Sequence, residues 1–121
     1  MNPVNWFEIP ANNIEQAKGF YEAVFNIEMT INEMGGSMMA WFPGNPAQPG
    51  ATGTLIQGEG YVPSMEGSMV YLAVEDIEAT LEKIAQNGGE PLSPKISIGD
   101  YGFIAMFRDN QGNRVSLHSD K

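Results

Sequence analysis

The chain has 121 residues, with 6 Lys+Arg against 15 Asp+Glu, a formal net charge of −9 and 42% hydrophobic positions. A chain of this length buries roughly two-thirds of the surface its unfolded form exposes, enough for a core without staples, so one domain over residues 1–121 is expected. The lack of cysteine excludes disulfides, thiolate zinc sites, iron–sulfur clusters and cysteine nucleophiles, and the strong acidity opposes nucleic acid, whose affinity rests on Lys and Arg neutralising phosphates. No stretch approaches the ~20 apolar residues of a membrane span. The start, Met1-Asn2-Pro3-Val4-Asn5, lacks a basic region followed by an apolar run. The sequence therefore predicts a cytoplasmic protein with neither nucleic acid nor membrane as partner.

In chain order, Val4 to Ile9 is aromatic and β-branched and stops at Pro10, which predicts a first strand. Asn12 or Asn13 is placed to cap a helix whose buried face is Ile14, Ala17, Tyr21, Val24 and Phe25, ending near Phe25 or Asn26. Ile27 to Met34 and Ser37 to Phe42 flank Gly35-Gly36 and read as a hairpin. Pro43 to Gly50 is a loop by composition, Thr52 to Gln57 a fourth strand, and Gly58 to Ser64 a loop again. The order then repeats. Ser68 to Val74 is a strand, and Asp76 caps a helix to about Asn87 with Ile77, Leu81, Ile84 and Ala85 as its stripe. Gly88-Gly89 supplies the left-handed stop. Strands are predicted at Glu90 to Ser97, Gly102 to Phe107 and Asn113 to His118, the last two joined by the turn Asp109-Asn110-Gln111-Gly112. A shift of 63 positions lays the halves on each other: Trp6 falls on Met69, Glu8 on Tyr71, Asn13 on Asp76, Ile14 on Ile77 and Glu15 on Glu78. Each half reads β-α-β-β-β, one at about 1–60 and the other at about 67–121.

Three segments carry a resemblance: the first strand with Asn13-Ile14-Glu15-Gln16-Ala17-Lys18-Gly19-Phe20-Tyr21, then Val70-Tyr71-Leu72-Ala73-Val74-Glu75-Asp76-Ile77 leading to Asn87-Gly88-Gly89, and Phe107-Arg108-Asp109-Asn110-Gln111-Gly112-Asn113-Arg114-Val115. In their order and spacing the chain resembles the vicinal oxygen chelate superfamily of glyoxalase I, extradiol dioxygenases, fosfomycin-resistance enzymes and bleomycin-binding proteins. The resemblance implies an α+β fold of two βαβββ modules lining a cupped, partly open mixed barrel around one cavity. It also implies a homodimer.

Metal-dependent members carry His, Glu or Gln on the first and last strands of each module. Carried over by spacing, those positions are Trp6, Met69, Ser116 and either Thr54 or Ile56. None offers the imidazole nitrogen or carboxylate oxygen that a divalent metal prefers. We therefore expect no metal, no cofactor and no metal-dependent glyoxalase I activity. A displaced site from Glu8 and His118 has too few ligands.

Strand alternation, combined with the family geometry, points Trp6 and Glu8, Met69 and Tyr71, and Ser116 and His118 into the cavity. Met39, Trp41 and Phe103 are expected to rim it. An apolar, aromatic pocket suits a small organic molecule. Glu8 beside Trp6 in a dry cavity would have its pKa raised and suit a general base, with His118 as its partner. Arg108 and Arg114 are candidates to neutralise an anionic ligand or to form surface ion pairs. Three readings follow: a metal-independent small-molecule binder, a lyase or isomerase using Glu8, and a non-catalytic dimerisation module with a filled cavity.

Overall fold

The computed structural model describes residues 2–45 and 47–121; of the predicted loop over 43–50, Pro46 lies outside the described residues. The first module runs β1 (Trp6–Pro10), α1 (Ile14–Phe25), β2 (Thr30–Met34), β3 (Ser37–Trp41) and β4 (Thr52–Gln57). The second runs β5 (Tyr71–Ala73), α2 (Ile77–Gln86), β6 (Glu90–Pro91), β7 (Ile96–Ser97), a 3-10 turn at Gly99–Tyr101, β8 (Phe103–Arg108) and β9 (Arg114–Ser119). One sheet has the order β1-β4-β3-β2 and the other β5-β9-β8-β6, with β7 also on β8. In each, the first strand lies parallel to the last and the remaining pairs are antiparallel. The fold is α+β, two βαβββ modules with mixed sheets that do not close into a barrel.

Local chemistry sets these elements. Asn13 Oδ1 accepts the Gln16 amide at 3.1 Å and Asp76 Oδ1 the Ala79 amide at 3.0 Å, so both helices start on a side-chain cap 63 residues apart. Asn26 ends α1 in the left-handed region at φ 54°, and Gly88 does so beyond α2 at φ 92°. Gly35 and Gly36, at φ 57° and 85°, supply the two successive positive φ angles of a tight hairpin. Gly53 answers a different demand: it pairs with Phe7, whose ring and carbonyl occupy the space a Cβ would need.

Three predicted strands are shorter than expected by three residues or more. The segment from Ile27 joins the sheet only at Thr30, because the Met29 amide is taken by Glu22 Oε2 at 2.8 Å. The segment 68–74 is a strand only over Tyr71–Ala73, although Val70 O and the Val74 amide extend its bonding to β9. The predicted strand 90–97 is broken in two. Pro94 has no amide to donate, and Ser93 Oγ takes the Met106 amide at 3.0 Å in place of a ladder bond.

One core joins the modules. α1 buries Ile14, Ala17, Phe20, Tyr21 and Val24, and α2 buries Ile77, Thr80 and Ile84, while Leu81 is half-buried and Ala85 is exposed. Tyr21 meets Phe42 at 5.5 Å beside the first sheet, and Phe20 and Phe25 meet Phe107 of β8 at 6.3 and 6.4 Å. α1 thus lies between the two sheets, and each large apolar side chain so buried stabilises the fold by roughly 1.5–3 kcal/mol. A polar joint reinforces it. The Tyr21 hydroxyl donates to Asp109 Oδ2 at 2.8 Å, and Asn113 Nδ2 donates to Asp109 Oδ2 at 3.0 Å and to Pro10 O at 2.7 Å. Burial pushes the Tyr21 phenol well above its ordinary pKa, and the charge of Asp109 and its hydrogen bond push the same way.

Candidate functional site

With α1 between the sheets and α2 packed on α1 and the second sheet, the faces turned away from the helices are where the predicted site residues fall. On the first sheet Ile9, Ala40 and Leu55 belong to the core, so alternation puts Trp6, Glu8, Met39, Trp41 and Thr54 on the opposite face. Here the two tryptophans meet edge to face, ring centroids 5.0 Å apart at 67°. On the second sheet Leu117, Ala105 and Phe107 are core, which puts Tyr71, Ser116 and His118 on the outer face with Met106. Met69 shares the parity of Tyr71 two residues before it and is half-buried.

Three expectations need correction. Phe103 pairs with Ser119 in step with Ala105 and Phe107, so it packs on the core side, with Lys95 Nζ 4.3 Å from its ring, and does not rim the predicted pocket. Glu8 is exposed and does not stand in a dry cavity. His118 is not bonded to Glu8: its Nε2 lies 2.7 Å from Tyr101 O, an acceptor only, which places the proton on Nε2.

The register resolves which residue of module one matches Ser116. Tyr71 pairs with Ser116 and Glu8 pairs with Thr54, and Glu8 and Tyr71 are 63 positions apart, so the counterpart is Thr54 rather than Ile56. The cross-strand neighbours agree, Trp41 facing Thr54 and Met106 facing Ser116. Among the described residues neither buried hydroxyl has a hydrogen-bond partner, and neither does the buried Trp41 Nε1. Unpaired buried polar atoms are uncommon and costly in a folded chain. Two of the three occupy the pseudo-equivalent positions where metal-dependent members hold a ligand. Neutral hydroxyls at Thr54 and Ser116, an indole at Trp6 and a thioether at Met69 do not fit a divalent metal. Among the described residues no cluster of three or more His, Asp or Glu side chains stands ready to hold one.

Among the described residues, hollows lie away from the tryptophan pair. One of about 660 Å³ opens between the modules, walled by Phe25, Ile27, Phe42, Leu72 and Val74 with Asp76 and Lys83 at its edge. A second of about 270 Å³ shares Phe42, Pro43 and Leu72 with it. The third, about 230 Å³, is lined by Glu8, Glu66, Arg114, Ser64, Ser68 and Val70 among others. Pure sequence reasoning missed this grouping, because Glu66 belongs to the connection between modules and nothing in its neighbourhood marks it.

Two βαβββ modules, parallel first and last strands and matched caps define a vicinal-oxygen-chelate-type fold. Residues 4–117 match the family model described as Glyoxalase/Bleomycin resistance protein/Dioxygenase superfamily, and the chain belongs to that family. It is 32% identical to a glyoxylase-like domain-containing protein of Didymella fabae, covering 94% of this chain and 91% of that one. It is 29% identical to the putative glyoxylase CFP32 of Mycobacterium bovis over 93% of this chain, but spans only 44% of that relative's length. A solved structure described as TnmS3, an antibiotic binding protein from a Streptomyces species, superposes with a TM-score of 0.69 at 20% identity, covering 100% of this chain and 98% of the other. That last likeness establishes the fold alone. Among the described residues no helix is long and apolar enough to cross a membrane.

Proposed function

We propose that this chain binds a small planar organic molecule on the outer face of its first sheet, in the cytosol and without a metal, and that a second copy of the chain covers that face. The observation that carries this reading is the Trp6–Trp41 pair with two buried, unpartnered polar atoms, Trp41 Nε1 and Thr54 Oγ1, beside it. A planar ligand that wedges against Trp6 and turns the Trp41 ring gains stacking area. Its acceptor takes the indole N–H and its donor or acceptor meets the threonine hydroxyl, removing two desolvation penalties of the free chain. The antibiotic binding described for TnmS3, on the same fold, supports a ligand of that class. The lyase or isomerase reading needs a desolvated Glu8, and Glu8 is exposed in the single chain.

Both tryptophans of the chain are in this pair, so intrinsic tryptophan fluorescence reports on the proposed site and nothing else. Titration with a panel of planar polycyclic compounds is expected to give saturable quenching with at least one member, weakened at least tenfold by Thr54→Val. No saturable change across the panel, together with a sedimentation profile showing a dimer, would instead favour the non-catalytic dimerisation module. A stoichiometric metal in the purified protein would overturn the metal-free reading.

A further inference from the structure

We propose that the hollow of about 230 Å³ between β1, the connection over residues 58–70 and the start of β9 is a binding site for a small zwitterion, a molecule carrying one carboxylate and one ammonium group. It is separate from the aromatic face above; only Glu8 is common to both. The chain has two arginines among 121 residues, and they are direct cross-strand partners, Arg108 opposite Arg114 at the turn end of the β8–β9 hairpin. Like charges directly opposite each other destabilise a sheet. Arg108 is relieved by Glu90, 3.4 Å away. Arg114 has no such relief: among the described residues no carboxylate lies within ion-pair distance of it, although Glu8 and Glu66 line the same hollow.

The walls are held in place by hydrogen bonds that do not involve those charges. Asn113, buried, donates from Nδ2 to Pro10 O at 2.7 Å and accepts the Ser64 amide on Oδ1 at 3.1 Å. The Arg114 amide donates to Ser64 O at 3.2 Å, and the Ser64 hydroxyl accepts the Glu66 amide at 2.8 Å. One network thus fixes the backbones that carry Glu8, Glu66 and Arg114 around a space, with opposite charges on its rim and no ion pair across it. A ligand with both charges satisfies each side: its carboxylate lies in the fork of the Arg114 guanidinium, and its ammonium lies between Glu8 and Glu66. The volume suits a molecule of about the size of a small amino acid, and the hydroxyl of Ser68 on the lining adds a polar contact.

The test uses β-alanine, with propionate and ethylamine as single-charge controls, followed by chemical-shift titration of the full chain. β-Alanine is expected to shift the amides of Glu8, Ser64 and Arg114 saturably, and each single-charge control to bind at least tenfold more weakly. Arg114→Gln is expected to abolish the titration, while Glu8→Gln and Glu66→Gln each weaken it severalfold. Arg114→Lys, which keeps the charge and loses the fork, is expected to retain weakened binding and guards against a folding defect in the glutamine variant. No saturable shift with β-alanine, equal binding of propionate alone, or full binding by a folded Arg114→Gln protein overturns the proposal. None of these outcomes bears on the tryptophan face, which the fluorescence titration reads separately.

Discussion

The two modules share an order of elements and differ in almost everything that order carries. In the first, every strand has five or six residues and the outer face is aromatic and sulfur-rich, with Trp6, Met39 and Trp41 around Thr54. In the second, the opening strand has three residues, two others have two each, and the outer face carries Tyr71 at 53% exposure, His118 and both arginines. The pseudo-equivalent pair Thr54 and Ser116 is the exception, since both are buried hydroxyls without a partner. The architecture is duplicated because caps and ladders are local, whereas the face chemistry is free to diverge because the fold does not depend on it.

The joint between the modules is the place to break this comparison. Asp109 is 2% exposed and accepts from Tyr21 Oη, from Asn113 Nδ2 and from the amides of Gln111 and Asn113. Asp109→Ala leaves these donors unpaired in the core and is expected to cost about 3 kcal/mol, read as a lowered urea midpoint. A cost under about 1 kcal/mol would mean that the modules are held together by apolar packing alone.

Tyr21→Phe removes one donor and keeps the ring, so about 1 kcal/mol is expected. The pH dependence sharpens the assignment. Because the folded state holds the Tyr21 proton more tightly than the unfolded chain, stability is fully present below the ordinary phenol pKa of about 10 and falls as pH rises from there toward the folded value. The phenylalanine variant should lose that part of the alkaline decline. If wild type and variant decline in parallel above pH ~10, Tyr21 is not the group responsible.

Thr54→Val and Ser116→Ala test whether the two hydroxyls are equivalent. Each removes a buried unpartnered oxygen, so each is expected to be neutral or to stabilise the free chain by up to about 1 kcal/mol. Only Thr54→Val is expected to weaken a planar ligand, since only Thr54 lies opposite Trp41. Equal weakening by both would mean that the two faces meet around one ligand, as they would across a dimer.

The smallest effect belongs to Glu22, whose carboxylate accepts the Met29 amide at 2.8 Å and pairs with Lys18 at 3.1 Å. The Met29 hydrogen bond, followed by Lys18, lowers its pKa below the usual carboxylate range. The stability it confers is present above the ordinary carboxylate pKa and lost as pH falls through the lowered folded value. The pair is partly exposed, so Glu22→Gln is expected to cost only a few tenths of a kcal/mol at neutral pH, with a slightly shallower acid limb in thermal melts.

The strand and helix order, both helix caps, the Gly35-Gly36 hairpin and the 63-residue repeat were legible in the sequence, because each depends on neighbours within a few positions. The residues Trp6, Met69 and Ser116 at the positions where the family resemblance implies metal ligands could also be named from the sequence, once that resemblance was in hand. What needed the tertiary structure was where the faces point and what meets across the chain. Phe103 reads like any aromatic strand residue until its register with Ser119 assigns it to the core. Thr54 and Ile56 were indistinguishable as the partner of Ser116 until Glu8 was seen opposite Thr54. Glu8, Glu66 and Arg114 come from segments separated by as many as 106 positions, and no periodicity connects them. Local hydrogen bonding is written in adjacent residues, but burial, side-chain pairing across strands and the sign of a neighbouring charge exist only once the chain has closed on itself.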